Sequence, residues 1–365
     1  MADSLTDAAT QQQVYLERLK SGYDRDFKGM NKKLRENIKK VLDQIEVDTF
    51  DELTNTQLNK LLVELKKAHL AASVEAMRKF LNDLKGISKY AQGLEIAQAA
   101  SLPTGSLPAI KFKAPPVGKA YIKALKAPIQ ATGDVLEAFV ENWPENDVIR
   151  VNKAVRVAWS QGKPTAQVVK EIVGTAKNKY EDGVLNVSKQ HASTVVHTST
   201  QHVAETSRQE VWKANDNIVK GYHWVATLDR RTTQQCKSLE ELYGVGKDYF
   251  EQGKGPLPPI HPNCRSATAP KLDSKYDFLS EDSTRASSGT SNKEVDGKLT
   301  YYGWLKTQPA KFQDIALGKT RAKLFRDGGL SAKKFADLNI DRNYQPLTLK
   351  EMKAIEPAAF KAAGL

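Results

Sequence analysis

The most reactive side chains of the sequence are concentrated in one segment, residues 227–266. This segment contains both cysteines of the chain, Cys236 and Cys264, together with His261 and four prolines. Thiol and imidazole groups are the side chains that staple loops or bind soft metal ions. The segment therefore predicts a loop region that is held together through its sulfur and nitrogen atoms.

Three states of the two cysteines are consistent with this spacing. In the first, Cys236 and Cys264 are reduced, buried and close in space. In the second, they form a disulfide, which would contribute roughly 3–4 kcal/mol by restricting the unfolded chain but is disfavoured in a cytosol. In the third, Cys236, His261 and Cys264 bind a structural zinc ion, with water or Asp229 as the fourth ligand. The residues alone leave the three alternatives open.

The same pair of side chains could also serve in catalysis. A neighbouring imidazole lowers the pKa of a thiol and makes it a nucleophile. The prolines around His261 favour a rigid structural turn instead, and no loop of oxyanion donors accompanies the pair. A nuclease centre of the HNH type, built on His261 and Asn263, would need a further histidine or acid for a divalent ion, and none is suitably placed. We therefore expect no catalytic residue here.

Asp229, Arg231 and Thr232 form the other half of the segment. Aspartate and threonine commonly accept hydrogen bonds from nearby backbone amides, and arginine braces carboxylates or carbonyls. We interpret this triplet as a capped turn rather than as a catalytic acid with its partners.

Hydrophobic periodicity predicts the long helices that must support this segment. Apolar residues recur every three or four positions between Met30 and Ile45, and again between Leu58 and Leu84, as on one face of a helix. Thr49 and Glu52 form a capping box between the two runs. The first hundred residues therefore predict long helices packed as a hairpin.

Proline, glycine and small polar residues divide the rest of the chain. Trp143 and Pro144 predict the end of a helix, and the run from His223 to Ala226 predicts a strand. The predicted fold class is mainly α with a small α+β domain, and it has long helical N-terminal arms, a compact Cys/His loop domain and a helical C-terminal tail. The predicted segments are a helical arm (1–100), a proline-rich linker (101–118), a helical region (119–220), the Cys/His domain (221–279), a flexible linker (280–297) and a helical C-terminal region (298–365).

Charge and hydropathy restrict the classes of partner. The 365 residues carry a formal net charge of +12, which favours non-specific attraction to nucleic-acid phosphates over sequence-specific recognition. No run approaches the length of a membrane helix, and the N-terminus lacks the features of a secretory signal. We therefore expect no membrane association and synthesis in a cytosol.

The spacing of the reactive segment resembles that of a known family. Asp229, Arg231, Thr232 and Cys236, followed by the run from Pro258 to Ser266 (Pro-Pro-Ile-His-Pro-Asn-Cys-Arg-Ser), resemble the signature of the phage Mu-type minor head, or head-morphogenesis, proteins of tailed bacteriophages. The resemblance extends to residues 205–215, 301–309 and 317–325, and it covers roughly residues 120–350. By this resemblance the motif residues are Asp229, Arg231, Thr232, Cys236, His261, Pro262, Asn263, Cys264 and Arg265.

The resemblance implies a structural protein of the virion rather than an enzyme. Its implied partners are the portal protein, a major capsid or scaffolding protein, and packaged DNA. Its implied location is inside the capsid near the portal, after assembly in the host cytoplasm. Its implied roles are procapsid assembly, DNA packaging or DNA delivery.

The sequence departs from the family pattern at two positions. Thr233 and Ser266 stand where the family has the first and last of four cysteines. One member of each side of a four-cysteine clamp is thus replaced, so we expect a loop that needs no cofactor and is held by packing and prolines. A structural zinc ion remains the alternative.

Two other functions remain as rivals. An ejected effector enzyme, either ADP-ribosyltransferase-like or a nuclease, would rest on Ser199, Thr200, Glu205 and Glu210 or on His261. A DNA-binding packaging accessory would rest on the basic charge.

Overall fold

The computed structural model describes residues 5–280, 284–290 and 293–365. Its fold is mainly α with a small α+β region, which confirms the predicted fold class. Over the described residues the helices are, in chain order, α1 Leu5–Leu42, α2 Asn55–Ser101, α3 Val117–Lys126, α4 Leu136–Ser160, α5 Thr165–Val173, α6 Val184–Lys213, α7 Gln234–Tyr243, α8 Tyr301–Lys306, α9 Ala310–Leu317, α10 Lys319–Asp327, α11 Ala332–Asn339, α12 Leu349–Ile355 and α13 Pro357–Ala362.

The predicted N-terminal hairpin is present as α1 and α2. The rings of Tyr15 and Tyr90 stack with their centroids 3.9 Å apart, and Gln98 Nε2 donates to Ala8 O at 3.1 Å. The Thr49–Glu52 capping box forms, but it caps a short 3-10 turn at Phe50–Glu52. Thr54 and Gln57 make the equivalent bonds at the start of α2.

A small antiparallel sheet supports the Cys/His segment. Its strands β1 Val219–Val225, β2 Phe250–Glu251 and β3 Ala267–Leu272 lie in the order β2-β1-β3. In the register of β1 and β3, His223 faces Ala269 and Val225 faces Ala267. The strand predicted at His223–Ala226 is therefore present, but the observed strand begins earlier, at Val219.

The prediction that a helix ends at Trp143-Pro144 is wrong, because α4 continues through Pro144. Proline removes one backbone donor and usually disrupts a helix interior. Here Val140, Trp143 and Pro144 are buried on the same side as Val148. Packing of this apolar face offsets the missing hydrogen bond.

The two predicted linkers differ from each other. The non-helical stretch between α2 and α3 buries Ile110 and Phe112. In the stretch predicted as a flexible linker, residues 280–297, the described residues contain a second antiparallel pair, β4 Thr284–Ala286 and β5 Glu294–Asp296. The sequence does not reveal these strands, because each has only three residues, too few to show an alternation of polar and apolar side chains. Residues 281–283 and 291–292 of that stretch lie outside the described residues.

The chain divides into two compact units that are discontinuous in sequence. Unit 1 comprises residues 1–17, 88–120 and 204–365, and unit 2 comprises residues 18–87 and 121–203. The consecutive segments predicted from composition do not follow this division, because α1, α2, α3 and α6 each contribute residues to both units.

The cores of the two units differ in composition. Unit 1 buries large aromatic side chains, including Trp212, Trp224, Tyr301 and Trp304. Unit 2 buries a mostly aliphatic cluster, whose members include Leu34, Ile38, Leu62, Val151 and Ile172. None of the helices described is both long enough and apolar enough to cross a bilayer.

Candidate functional site

The predicted site residues come together in unit 1, where two loops meet beside β1 and β3. The first loop follows β1 and leads into α7, and the second precedes β3. Thr233 is the N-cap of α7, and its side chain accepts from the Cys236 backbone amide. This cap places Cys236 in the first turn of α7, facing the second loop.

The second loop is a tight turn from His261 to Cys264. The Cys264 amide donates to His261 O at 3.2 Å, and Asn263 has φ of 59°. Proline followed by asparagine suits the two central positions of such a turn, because proline fixes its own φ and asparagine tolerates the left-handed region. Pro262 and Asn263 thus form an exposed tip whose geometry turns the flanking His261 and Cys264 inward.

The turn brings three potential ligand atoms together. Cys236 Sγ lies 3.3 Å from His261 Nε2 and 3.8 Å from Cys264 Sγ. Both thiols are free and buried. Among the residues that the structure describes, Cys236, His261 and Cys264 form a group that could hold a metal ion. Asp229, the alternative fourth ligand, is not a member of this group.

Burial and hydrogen bonding shift the pKa values of the two thiols in opposite directions. Burial, reinforced by the neighbouring Cys264, raises the pKa of the Cys236 thiol well above its usual value. Burial would also raise the pKa of Cys264, but hydrogen bonds from Cys236 and His261 and the nearby imidazolium outweigh burial and lower it. The same interaction raises the pKa of His261 against the effect of its burial. Of the two thiols, Cys264 is therefore the one that loses its proton more readily.

Asp229 organises the other half of the site and forms the capped turn predicted for it. Its Oδ1 accepts from the backbone amides of Arg231 and Thr232, at 2.9 and 3.0 Å. Arg265 binds the same carboxylate with two nitrogens, NH1 to Oδ2 at 2.6 Å and NH2 to Oδ1 at 3.0 Å. Burial alone would raise the pKa of Asp229, but these hydrogen bonds and the guanidinium charge lower it.

The arginine that binds the Asp229 carboxylate is Arg265 rather than Arg231. Arg231 Nε lies 3.7 Å from Asp229 Oδ2, and 74% of its side chain is exposed. Thr232 Oγ1 donates to Thr227 O at 2.6 Å, and Thr227 Oγ1 in turn donates to Arg265 O at 2.9 Å. These bonds join the two loops independently of the cysteines.

Sequence reasoning missed several residues that complete the site. Tyr301, at the start of α8, donates from its hydroxyl to Asp229 O at 2.5 Å. The block from residue 301 was marked by the resemblance, but no pattern indicated this contact. Arg285 NH1 donates to Glu240 Oε1 at 2.7 Å, and the same Glu240 oxygen accepts from the Ala226 amide. Arg285 lies in the predicted linker, so its role was not visible.

A buried ionic cluster, here named the Arg208 network, lies under the sheet. It consists of Glu95, Glu205, Arg208, Trp212 and Thr268. Arg208 Nε donates to Glu95 Oε2 at 2.7 Å, and NH1 donates to Glu205 Oε1 at 3.2 Å. Trp212 Nε1 donates to Glu95 Oε1 at 2.7 Å, and Thr268 Oγ1 donates to Glu205 Oε2 at 2.6 Å. The network joins α2, α6 and β3 behind the two loops.

The residues considered for an effector enzyme are arranged differently from what that activity would need. Ser199, Thr200, Glu205 and Glu210 all lie in helix α6 rather than on a strand. Ser199 and Thr200 are completely buried. Glu205 belongs to the Arg208 network, and Glu210 pairs with Lys213 at 3.2 Å. These side chains are engaged in packing and ion pairing.

Comparison with known proteins gives one match. Residues 150–269 match the family model described as Phage Mu protein F like protein. The matched segment contains both halves of the motif, and it stops short of the blocks at 301–309 and 317–325. The chain matched no curated protein and no solved structure. The resemblance seen in the motif is thus confirmed, because residues 150–269 are similar to the phage Mu protein F-like family, and this match supports a family of phage head-morphogenesis proteins.

Proposed function

We propose that this chain is a minor head protein that assembles at the portal vertex and remains inside the virion in few copies. The observation that carries the proposal is the family match over residues 150–269, which includes Asp229, Cys236, His261, Cys264 and Arg265. Its action would be in procapsid assembly, DNA packaging or DNA delivery.

The internal contacts of the motif support a structural role without catalysis. Asp229 is saturated by Arg265 and by the amides of its own turn. Cys236 is 1% exposed and Cys264 is fully buried. A substrate could reach neither sulfur unless the two loops separated. The polar and sulfur atoms of the motif therefore serve to join two loops, which suits a part of a viral shell.

Surface charge supports contact with packaged DNA as a secondary property. The net charge of +12 favours association with a polyanion, and such binding needs no sequence-specific contact. Portal protein and major capsid or scaffolding protein are the proposed protein partners, with the cytoplasm of the host as the site of assembly.

Mass spectrometry of purified particles tests the proposal most directly. We expect peptides of this chain in mature virions at a few copies per particle, retained after a high-salt wash and lost from procapsids assembled without portal protein. Absence of the chain from mature particles would contradict the proposal. Incorporation that does not depend on portal protein would contradict the assigned location.

Salt dependence separates the head protein from a DNA-binding accessory. Attachment through several phosphate contacts would weaken by about 10³-fold or more between 50 and 200 mM salt. We expect binding to isolated portal assemblies to change far less over this range. A portal interaction with the steep salt dependence of the DNA interaction would favour the accessory role.

A further inference from the structure

The two replaced cysteines suggest a loop without metal, but the geometry of the remaining three ligands favours the opposite. Cys236 comes from the first turn of α7, whereas His261 and Cys264 flank a turn in another loop. Their ligand atoms all lie within 4.8 Å of one another. Structural zinc sites commonly take their ligands from two such segments, and here the first segment supplies one ligand and the second supplies two.

The distances between the ligand atoms agree with the edges of a zinc tetrahedron. Zinc binds thiolate sulfur at about 2.3 Å and imidazole nitrogen at about 2.0–2.1 Å, so tetrahedral angles place two sulfurs about 3.8 Å apart and sulfur about 3.6 Å from nitrogen. Cys236 Sγ and Cys264 Sγ are 3.8 Å apart, and Cys236 Sγ is 3.3 Å from His261 Nε2. A disulfide would require the sulfurs at about 2.05 Å.

The orientation of the imidazole is that of a metal ligand. His261 Nδ1 lies 2.9 Å from Pro262 O. A proton on Nδ1 donates to this carbonyl and leaves the Nε2 lone pair directed toward the sulfurs. Ligating histidines are commonly fixed in this way by a backbone carbonyl on their other nitrogen.

Thr233 and Ser266, which stand where the family pattern has cysteines, lie beside the three proposed ligands. Thr233 Oγ1 lies 3.1 Å from His261 Nε2, and the Ser266 side chain hydrogen-bonds Cys236. The positions that hold cysteines in the family pattern therefore converge on the remaining ligands. Neutral hydroxyls are weaker zinc ligands than thiolates, so they would border the fourth position or orient a water molecule there.

We propose that Cys236, His261 and Cys264 bind one thiophilic divalent cation, of which zinc fits best, and that Thr233 and Ser266 border its fourth coordination position. The cation joins the loop before α7 to the loop before β3. The site keeps three protein ligands although two cysteines of the family pattern are absent from this chain. The inference does not depend on the proposed role in the head, because it concerns the folded chain itself.

Elemental analysis of the full chain tests this inference. The protein would be produced with zinc in the medium, carry no histidine tag, and be purified without chelator. We expect about one zinc per chain, as a single closed site predicts. His261→Ala and Cys264→Ser should each reduce this to about a tenth or less, because a site with two protein ligands holds zinc weakly. His191→Ala, which changes a partly exposed histidine outside the group, should retain the full amount.

Cobalt substitution keeps the test informative if the ligand variants fail to fold. Wild-type protein stripped of metal and loaded with Co²⁺ should show sulfur-to-cobalt charge-transfer bands and the visible absorption of tetrahedral cobalt. Wild-type protein that folds, contains no bound metal and fails to take up zinc or cobalt would overturn the inference. Loss of particle incorporation with normal metal content would instead contradict only the proposed function.

Discussion

Two groups of buried polar side chains in this protein differ in how completely they are paired. In the Arg208 network of unit 1, the carboxylates of Glu95 and Glu205 each accept from two donors. In unit 2, His69 and Asp147 are buried to the same degree, at 1% and 0% exposure. Both ring nitrogens of His69 and Oδ2 of Asp147 nevertheless lack a hydrogen-bond partner.

This difference shows that the two groups of side chains are held in place by different interactions. A buried polar group without a partner costs about 1–3 kcal/mol, which an aliphatic core must offset. Unit 2 has such a core, formed by the apolar faces of its long helices. The Arg208 network is fixed by directional bonds, which join α2, α6 and β3. Substitutions that remove polar groups should therefore have unequal effects in these two groups.

The largest effect is expected for Arg208→Met. The substitution leaves two buried carboxylates without their cation, and breaking a buried ion pair from one side costs about 3–5 kcal/mol. Urea unfolding followed by circular dichroism would measure the loss. Lys213→Met is the matched control on the same helix, because the Lys213–Glu210 pair is exposed and should contribute less than about 0.5 kcal/mol. Equal losses of stability in the two variants would contradict the stabilising role assigned to the Arg208 network.

A smaller loss is expected for Asp229→Asn. The amide keeps the shape of the side chain but loses the charge that Arg265 binds with two nitrogens, at a cost of about 2–3 kcal/mol. Arg231→Ala should change the unfolding free energy by less than about 0.5 kcal/mol, because that side chain is largely exposed. If Arg231→Ala proved the more damaging variant, the assignment of Arg265 as the brace would be wrong.

Two histidines of unit 2 allow a matched comparison. His202 Nε2 lies 2.9 Å from Ala124 O, whereas His69 has no such contact. We expect His202→Leu to destabilise the protein by about 1–2 kcal/mol, since it leaves a buried carbonyl without a partner. His69→Leu should be neutral or stabilising, because leucine removes polar atoms that already lack partners. Thermal unfolding of both variants measures the two changes in stability. A greater loss of stability in His69→Leu would show that the His69 ring stabilises the fold, contrary to this expectation.

The smallest effect should appear as a pH dependence of the Arg208 network. Burial raises the pKa of Glu205, although Arg208 and Thr268 oppose it, and the nearby Glu95 adds to the rise. Burial alone would lower the pKa of Arg208, but the two neighbouring carboxylates raise it, so the guanidinium keeps its charge. One positive charge, however, only partly compensates the two negative charges of Glu95 and Glu205. The folded state thus holds the Glu205 proton more tightly than the unfolded state, so stability should fall as pH rises through the raised pKa.

Glu205→Gln would measure this contribution. The variant should lose least stability relative to wild type, or gain most, at the alkaline end of a denaturation series, because it carries no proton to release. A difference between variant and wild type that stays constant from acid to alkaline pH would exclude Glu205 as the titrating group.

Local patterns predicted the long elements of the fold but not its short ones. The apolar spacing from Met30 to Ile45 identified α1, and the run at His223 identified β1. The strands β4 and β5 were missed, because their stability depends on the burial of Arg285 against Glu240, a partner distant in sequence. Pro144 misled the prediction since the apolar face that retains it in α4 is a tertiary feature.

The site was predictable in its membership and only partly in its contacts. The motif identified Asp229, Cys236, His261, Cys264 and Arg265 as neighbours. It could not show that Arg265, rather than Arg231, binds Asp229, because either arginine can reach a carboxylate near in the fold. The contact of Tyr301 with the Asp229 carbonyl and the whole Arg208 network depend on the assembled tertiary structure.

The discontinuous composition of unit 1 has a consequence for how the protein is made. Ala9 packs with Val225, Ala267 and Ala269, which lie far along the chain from it and are therefore synthesised much later. Until those strands are made, the first turns of α1 can pack only against α2, through contacts such as those of Tyr15 with Tyr90 and of Ala8 with Gln98. A prematurely terminated product would expose this segment to proteases and chaperones, so only chains that extend through β3 can complete unit 1.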